Sequence, residues 1–247
     1  MYAIPSQVAL PKRKTMTSPG NGATRWRTEY FGIMGGGKVL PEPQAFLIEM
    51  TENDTILPHF HEVDQFQVFV SGSGKVGRSD VMVPLTVHYA DRYTGYGPID
   101  AGPQGYSYFT LRAHTDSGPV YLHKPGYREK LQPSRKRHFS AQVALSTEPV
   151  LKHRKNVSIE AVTEQTQKYD DGLQAELVRA GADLSVVGPD PKQSGGQYYL
   201  VVNGSITYKN EKFEKWSVFF AEPTDPVVDF SSGPDGCEVL ILQFGKE

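Results

Sequence analysis

The chain has 247 residues, and its 26 Lys and Arg residues nearly balance its 28 Asp and Glu residues, so the formal net charge is −2. This balance excludes a general electrostatic attraction to nucleic acid. The single cysteine, Cys237, excludes an intramolecular disulfide and a Cys-rich zinc site. No apolar run approaches the ~18 residues of a membrane helix, and the first residues lack the apolar segment of a signal peptide. We therefore expect a cytoplasmic protein with no membrane or nucleic-acid partner.

Short runs of alternating apolar and polar residues recur along the chain, and most are bounded by Gly, Pro, Asn or Asp, as in sandwiches and barrels. The clearest runs are, in chain order, 45–50, 66–72, 106–113, 198–204, 216–222 and 238–244. No long stretch keeps a helical period, although we expect one short helix over 159–169. The pattern predicts an all-β fold.

Three segments of the first half recur in the second half, in the same order and about 130 residues later. The matching segments are 44–49 with 174–179, 65–72 with 197–204, and 102–105 with 233–236. A repeat of this length exceeds a solenoid unit, so it indicates a duplicated domain with one barrel in each copy.

The repeat divides the chain into four predicted parts. These are a flexible N-terminal lead over 1–25, a first barrel over 26–123, a basic linker over 124–150 and a second barrel over 151–247. The charges of the linker are typical of a solvated connection, because the interleaved aromatic residues of a nucleic-acid site are missing.

Two histidines, His59 and His61, are two positions apart in the first copy. On a strand this spacing places both imidazoles on one face, since side chains alternate. Two neutral imidazoles on one face are half of a site for a first-row transition metal.

The sequence around these histidines resembles the two motifs of the cupin superfamily. The first motif is matched, with cupin spacing, by His59, His61, Gln65 and Gly72, and the second by Gly97, Pro103, Gly105, Tyr108 and Arg112. The resemblance covers about residues 40–115 and, through the repeat, 170–245. It implies an all-β bicupin with two jelly-roll barrels, whose ligands point into the barrel mouth.

The resemblance implies a metal held by His59, His61 and Gln65, although two ligands differ from the usual three His and one Glu. Gln65 replaces the Glu, and Tyr108 replaces the third His, so the protein donates less negative charge to a divalent metal. We expect Zn²⁺, Fe²⁺, Ni²⁺ or Mn²⁺ here. The alternative is a hydrogen-bonded polar pocket without metal.

Strand alternation extends the predicted pocket. If Tyr108 points inward, so do Tyr106 and Arg112, and Gln67 lies with Gln65. Arg112 could bind a substrate carboxylate, or it could pair with Glu49 or an Asp at the rim.

The segment 88–97, which precedes the second motif, is rich in polar and aromatic residues. His88 is predicted as a general acid or base, with a structural role as the alternative. Tyr93 and Tyr96 are predicted to stack on a ring-containing ligand, and packing is the alternative.

The second copy lacks the metal motif. Its matching positions are Pro191, Gln193, Gln197 and Val239, so we expect a structural barrel there.

Three functions stay open. The leading one is a metalloenzyme for a small organic molecule, with dioxygenase-like chemistry at His59 and His61 and with Tyr108, His88 and Arg112 as catalytic candidates. The alternatives are a small-ligand-binding protein without activity, and a metal-free isomerase, epimerase or lyase that uses His and Tyr. We also expect a homodimer.

Overall fold

The computed structural model describes residues 1–18, 22–32, 37–78 and 80–246. Strands dominate these residues, because runs of β-branched and aromatic residues alternate with polar ones. In chain order the strands are β1 (Tyr2–Ile4), β2 (Lys14–Thr17), β3 (Thr24–Phe31), β4 (Gln44–Met50), β5 (Thr55–Ile56), β6 (His59–Phe60), β7 (Gln65–Val76), β8 (Asp80–Met82), β9 (Thr86–Ala90), β10 (Ile99–Arg112), β11 (Val120–Tyr121), β12 (His138–Gln142), β13 (Val157–Ala161), β14 (Gln174–Ala180), β15 (Ser185–Val187), β16 (Gln197–Tyr208), β17 (Glu211–Glu214), β18 (Val218–Ala221) and β19 (Asp229–Gln243).

Helical segments in the described residues are short. They are α1 (Ser6–Ala9), α2 (Glu148–Lys152) and the 3-10 turns Leu10–Lys12, Arg128–Lys130, Glu164–Lys168 and Pro191–Gln193. None of the described helices has the length and apolar character needed to cross a membrane. The short helix expected over 159–169 is confirmed only as the 3-10 turn Glu164–Lys168. The residues before it form β13 instead, because Val157 and Ile159 alternate with polar residues and pair with β14.

The chain forms two compact units. The first unit contains residues 12–143, and the second unit combines residues 1–11 with residues 144–247. In the first unit an antiparallel sheet has the strand order β12-β9-β7-β10-β4-β3-β2, with β5 beside β10 and β8 beside β7. A separate pair, β6 with β11, belongs to the same unit.

The sheet of the second unit has the order β1-β18-β16-β19-β14-β13. Its central strands correspond one by one to those of the first unit, with β18, β16, β19 and β14 in the places of β9, β7, β10 and β4. The predicted fold class, two β jelly rolls in one chain, is confirmed.

Paired glycines mark the same bulge in both units. Gly72 has a φ of 93°, and a Cβ there would lie 2.2 Å from the carbonyl oxygen of Gly105. In the second unit Gly204 has a φ of 64°, and a Cβ would lie 2.0 Å from the oxygen of Gly236. At both positions the residue has a positive φ and the backbone of the paired strand comes very close. Only glycine meets both conditions, which explains why both copies have it there.

The N-terminal residues differ from the flexible lead expected over 1–25. Tyr2 pairs with Phe220 as β1 joins β18, and the two rings lie 6.3 Å apart. The predicted linker likewise contains β12, which pairs with β9. Thus β1 and β12 hold matching edge positions, each in the unit built mainly from the other half of the chain.

Candidate functional site

A cavity of about 360 Å³ in the first unit contains both candidate histidines at its wall. This volume lies in the range of small-molecule sites. Residues of β2 to β7, β10 and β11 line it, together with the segment between β10 and β11.

The structure brings His59 and His61 together. Their rings lie 5.0 Å apart, and both side chains are buried. The backbone of His59 is fixed by two hydrogen bonds with Tyr96, of 3.1 and 3.0 Å, and β6 is paired with β11.

A chain of hydrogen bonds crosses the site and fixes the tautomer of His59. The guanidinium of Arg112 donates to Oε1 of Gln65, at 2.9 and 3.1 Å, and the amide of Gln65 donates to the hydroxyl of Tyr96. Nδ1 of His59 lies 2.8 Å from the carbonyl oxygen of Leu57, which can only accept. Nε2 of His59 is therefore the acceptor for the Tyr96 hydroxyl, 3.1 Å away.

His61 forms a second hydrogen-bonded pair. Its Nδ1 lies 2.6 Å from Oδ2 of Asp116, a carboxylate with no exposed side-chain surface. Burial alone would raise the pKa of Asp116, but His61, Arg112 and the backbone N–H of Gly118 lower it to about 2. Burial and Arg112 lower the pKa of His61, against the opposing effect of Asp116. An ionised carboxylate thus holds a neutral imidazole.

Arg112 lies at the centre of these groups. Nη1 donates to Oε1 of Gln44 at 2.7 Å and lies 3.4 Å from Asp116, and Nη2 lies 3.1 and 3.2 Å from the two ring nitrogens of His61. The partner considered in the sequence, Glu49, instead pairs with Arg13 at 2.6 and 2.8 Å. Arg112 is therefore a buried cation surrounded by the predicted metal ligands.

These residues do not fit a divalent metal. Nε2 of His59 accepts from a tyrosine, the oxygen of Gln65 accepts twice from Arg112, and the guanidinium repels a second cation beside His61. Burial raises the pKa of Tyr108 to about 12, which disfavours a phenolate ligand. In the described ranges no three His, Cys, Asp or Glu side chains are arranged to hold a metal ion.

Two other predicted site residues, Tyr108 and Gln67, line the cavity with polar groups that have no partner among the described residues. The hydroxyl of Tyr108 and the side-chain amide of Gln67 make no hydrogen bond within the described part of the chain. Both can therefore bind a ligand without breaking an existing contact.

Other predicted residues do not line this cavity. Tyr106 stacks on Phe69 at 4.3 Å, Tyr93 packs 6.0 Å from Phe60, and Tyr96 lies behind the histidines. The alternative of packing, considered for Tyr93 and Tyr96, describes these contacts.

His88 lies outside the cavity wall as well. Its Nε2 lies 2.8 Å from Nε2 of His138, while Nδ1 is buried without a partner in the described structure. Burial, aided by His138, lowers the pKa of His88 to about 3, so the ring is neutral at ordinary pH.

Sequence reasoning missed three charged residues at the cavity. Arg25 and Arg27 lie two apart on β3, so both face the cavity, and Asp116 follows β10. The Arg-x-Arg spacing was the available signal, but the predicted boundary at residue 25 placed Arg25 in the lead.

The second unit has no counterpart of this polar cluster at the matching positions. Val239 is buried in the apolar core, and Gln197 donates to Gln243 at 2.7 Å. Cys237 is also buried, and burial raises the pKa of its thiol to about 12.

No protein-family profile matches the sequence, and no curated protein matches it. Solved structures do match. A putative dioxygenase from Nostoc punctiforme has a TM-score of 0.62 at 10% identity, covering 97% of this chain and 81% of that one. The chain has the cupin fold. The formate complex of Lactobacillus farciminis oxalate decarboxylase has a TM-score of 0.60 at 12% identity, with coverages of 100% and 87%. Bacillus subtilis oxalate decarboxylase, described with Mn(II) centres, has a TM-score of 0.57 at 12% identity, with coverages of 100% and 78%.

Proposed function

We propose that the first unit is an enzyme for a small organic molecule and that it transfers protons without a metal, as an isomerase or a lyase does. The observation that carries this proposal is the Asp116–His61 pair at the cavity wall. A carboxylate that accepts from Nδ1 fixes the tautomer in which Nε2 has a lone pair. Such an imidazole is suited to remove a proton from a bound substrate.

Two neighbours of this pair have matching roles. Arg112 is a buried cation beside the same ring, so it would stabilise negative charge on a carbonyl oxygen while the adjacent carbon loses its proton. Tyr108, whose hydroxyl has no partner in the described residues, would return a proton from another part of the wall. When Arg112 turns toward such an oxygen, Nε2 of His61 becomes accessible.

Hydrogen–deuterium exchange tests this proposal without knowledge of the natural substrate. The protein is incubated in D₂O with a panel of small ketones, 2-oxo acids and 2-hydroxy acids, and loss of the α-proton is followed by NMR. We expect exchange on at least one compound, and a loss of about 10²- to 10⁴-fold in His61→Gln. The control is His153→Gln, which changes an exposed histidine of the second unit. Binding without exchange would contradict an enzyme and leave a ligand-binding protein.

A second candidate is the metal-dependent enzyme, with Zn, Fe, Ni or Mn at His59 and His61 and dioxygenase-like chemistry. It is favoured by the likeness to a putative dioxygenase and to a decarboxylase with Mn(II) centres. Elemental analysis of the purified protein beside the His59→Ala/His61→Ala double variant separates the two candidates. Metal-free proton transfer predicts equal metal content in both proteins and exchange that survives a chelator. One metal per chain, lost in the double variant, would support the second candidate and contradict the first. The homodimer and the cytoplasmic location stay predictions.

A further inference from the structure

The cavity is lined by more positive than negative charge. Three guanidinium groups face it, those of Arg25, Arg27 and Arg112, whereas Asp116 is the one acidic residue among its described lining residues. Arg112 uses its donors on Gln44, Gln65 and the His61–Asp116 pair. Arg25 and Arg27 of β3, in contrast, have N–H donors that no described residue accepts from.

Arg25 and Arg27 each have one Nη group without a hydrogen-bond partner among the described residues. Arg25 donates through Nε and Nη2 to Asp54 and through Nη2 to the carbonyl of Thr55, and Arg27 donates through Nε and Nη2 to Glu29, at 2.5 and 3.1 Å. The Nη1 group of either arginine makes no hydrogen bond with any described residue. Their side chains are only 10% and 9% exposed, and both line the cavity, so a ligand bound there would meet these donors.

The ion pair of Arg27 is the weaker of the two. Asp54 is fully buried behind Arg25, but the side chain of Glu29 is 31% exposed and lies only two residues from Arg27 on the same strand. Because Glu29 is partly exposed and can turn toward solvent, an anion in the cavity can compete with it for Arg27. The guanidinium carbon of Arg27 lies 3.4 Å above the ring of Phe46, which holds the planar group in a fixed orientation.

The remaining lining of the cavity is mainly apolar. Phe46, Ile48, Ile56 and Pro119 lie around the polar groups. Such a surface suits an uncharged hydrocarbon or ring portion of a ligand. The ligand expected here therefore combines one anionic group with an apolar body.

A smaller neighbouring cavity, of about 140 Å³, strengthens the positive character of this side. It shares Arg25 and Tyr121 with the main cavity and adds Lys124 and His123, with no acidic residue among its described lining residues. Arg25 therefore lies where two cavities with basic walls meet.

We propose that the cavity binds an organic acid, whose carboxylate is held by Arg27 and Arg25 while its apolar body lies against Phe46 and Ile48. A planar guanidinium with adjacent free N–H groups matches the two oxygens of a carboxylate. The proposal rests on the proposed function, since it names the substrate class of the same cavity.

Calorimetry and ligand-detected NMR with matched pairs of compounds test it. Benzoate, phenylacetate and succinate are compared with benzamide, phenylacetamide and succinamide. We expect a carboxylate to bind more tightly than its amide, and Arg27→Gln to weaken that carboxylate about 10- to 100-fold while leaving the amide unchanged. Arg27→Lys, which keeps the charge but loses the planar fork, should give an intermediate loss.

The control is Arg13→Gln, which removes an arginine that is 42% exposed and pairs with Glu49 outside the cavity. Circular dichroism of each variant shows whether the fold is kept. Amides that bind as well as acids, or a carboxylate affinity that Arg27→Gln leaves unchanged, would overturn the proposal.

The same measurement in His61→Gln distinguishes the two proposals. Suppose that His61→Gln still binds carboxylates and that the wild type exchanges no proton on any compound. This result contradicts the proposed reaction and supports the organic-acid site. Exchange confined to uncharged ketones, without preference for acids, contradicts the organic-acid site and supports the reaction.

Discussion

Acid should destabilise the first unit in a pH range where carboxylates contribute little. Burial lowers the pKa of both His59 and His88 to about 3, whereas a histidine in the unfolded chain titrates near pH 6.5. Between these values the unfolded chain binds more protons than the folded one. Stability from these groups is therefore complete above about pH 6.5 and is lost as the pH falls toward 3.

The size of the effect follows from the width of that window. Each histidine contributes a slope of about 1.4 kcal/mol per pH unit, so two histidines lower the free energy of unfolding by about 5 kcal/mol between pH 6.5 and 4.5. The assay is urea unfolding at several pH values, followed by fluorescence. In a Trp216→Phe background, Trp26 reports on the first unit alone, because the sequence has two tryptophans.

A matched pair of variants assigns the slope. His88→Gln should remove the contribution of one histidine, about 2–3 kcal/mol between pH 6.5 and 4.5, whereas His153→Gln, an exposed position in the second unit, should leave the slope unchanged. A free energy of unfolding that stays flat between pH 6.5 and 4.5, or a slope that His88→Gln does not alter, would refute the reasoning.

Two further changes test the framework of each unit. Arg112→Met removes a buried cation but leaves its hydrogen-bond partners in place. We expect urea unfolding to show that the free energy of unfolding of the first unit falls by about 3–5 kcal/mol. A decrease below about 1 kcal/mol would contradict the central role of this residue. Gly204 has a positive φ, and Gly204→Ala would put a Cβ 2.0 Å from the carbonyl oxygen of Gly236. The free energy of unfolding of the second unit should therefore fall by more than about 2 kcal/mol. Gly126→Ala, also at positive φ but with nothing within 4 Å, should cost only about 1–2 kcal/mol, and equal losses for the two alanines would contradict the steric argument.

The sequence predicted the features that depend on local pattern. Alternation of side chains predicted the strands, and the repeat predicted two β units. The two-residue spacing of His59 and His61 was interpreted as one face of a strand, whereas β6 ends at Phe60 and His61 lies just beyond it. Alternation follows from the geometry of a single strand, and the repeat is read by comparing the two halves of the sequence, so neither needs knowledge of how the strands pair.

Features that depend on distant pairing were missed. Residues 2–4 are too few to show a pattern, and β1 gains its stability from β18, more than 200 residues away in the chain. The guanidinium of Arg112 is positioned by contacts with Gln44, Gln65 and Asp116, which lie far apart in the sequence. Neither the motif spacing nor the alternation of side chains shows that the guanidinium of Arg112 will reach these residues.

The edge strands β1 and β12 have a consequence for how the chain can be divided. Each completes the sheet of the unit that is formed mainly by the other half of the sequence, so the two halves exchange equivalent strands within one polypeptide. Cut near residue 135, each fragment would carry the strand that the other one lacks and would leave β9 or β18 with an open edge. The fragments should therefore be poorly soluble when expressed separately and should complement each other when expressed together. In a polypeptide with a single repeat, the same open edge would be covered by the equivalent strand of a second copy, which is a domain-swapped dimer.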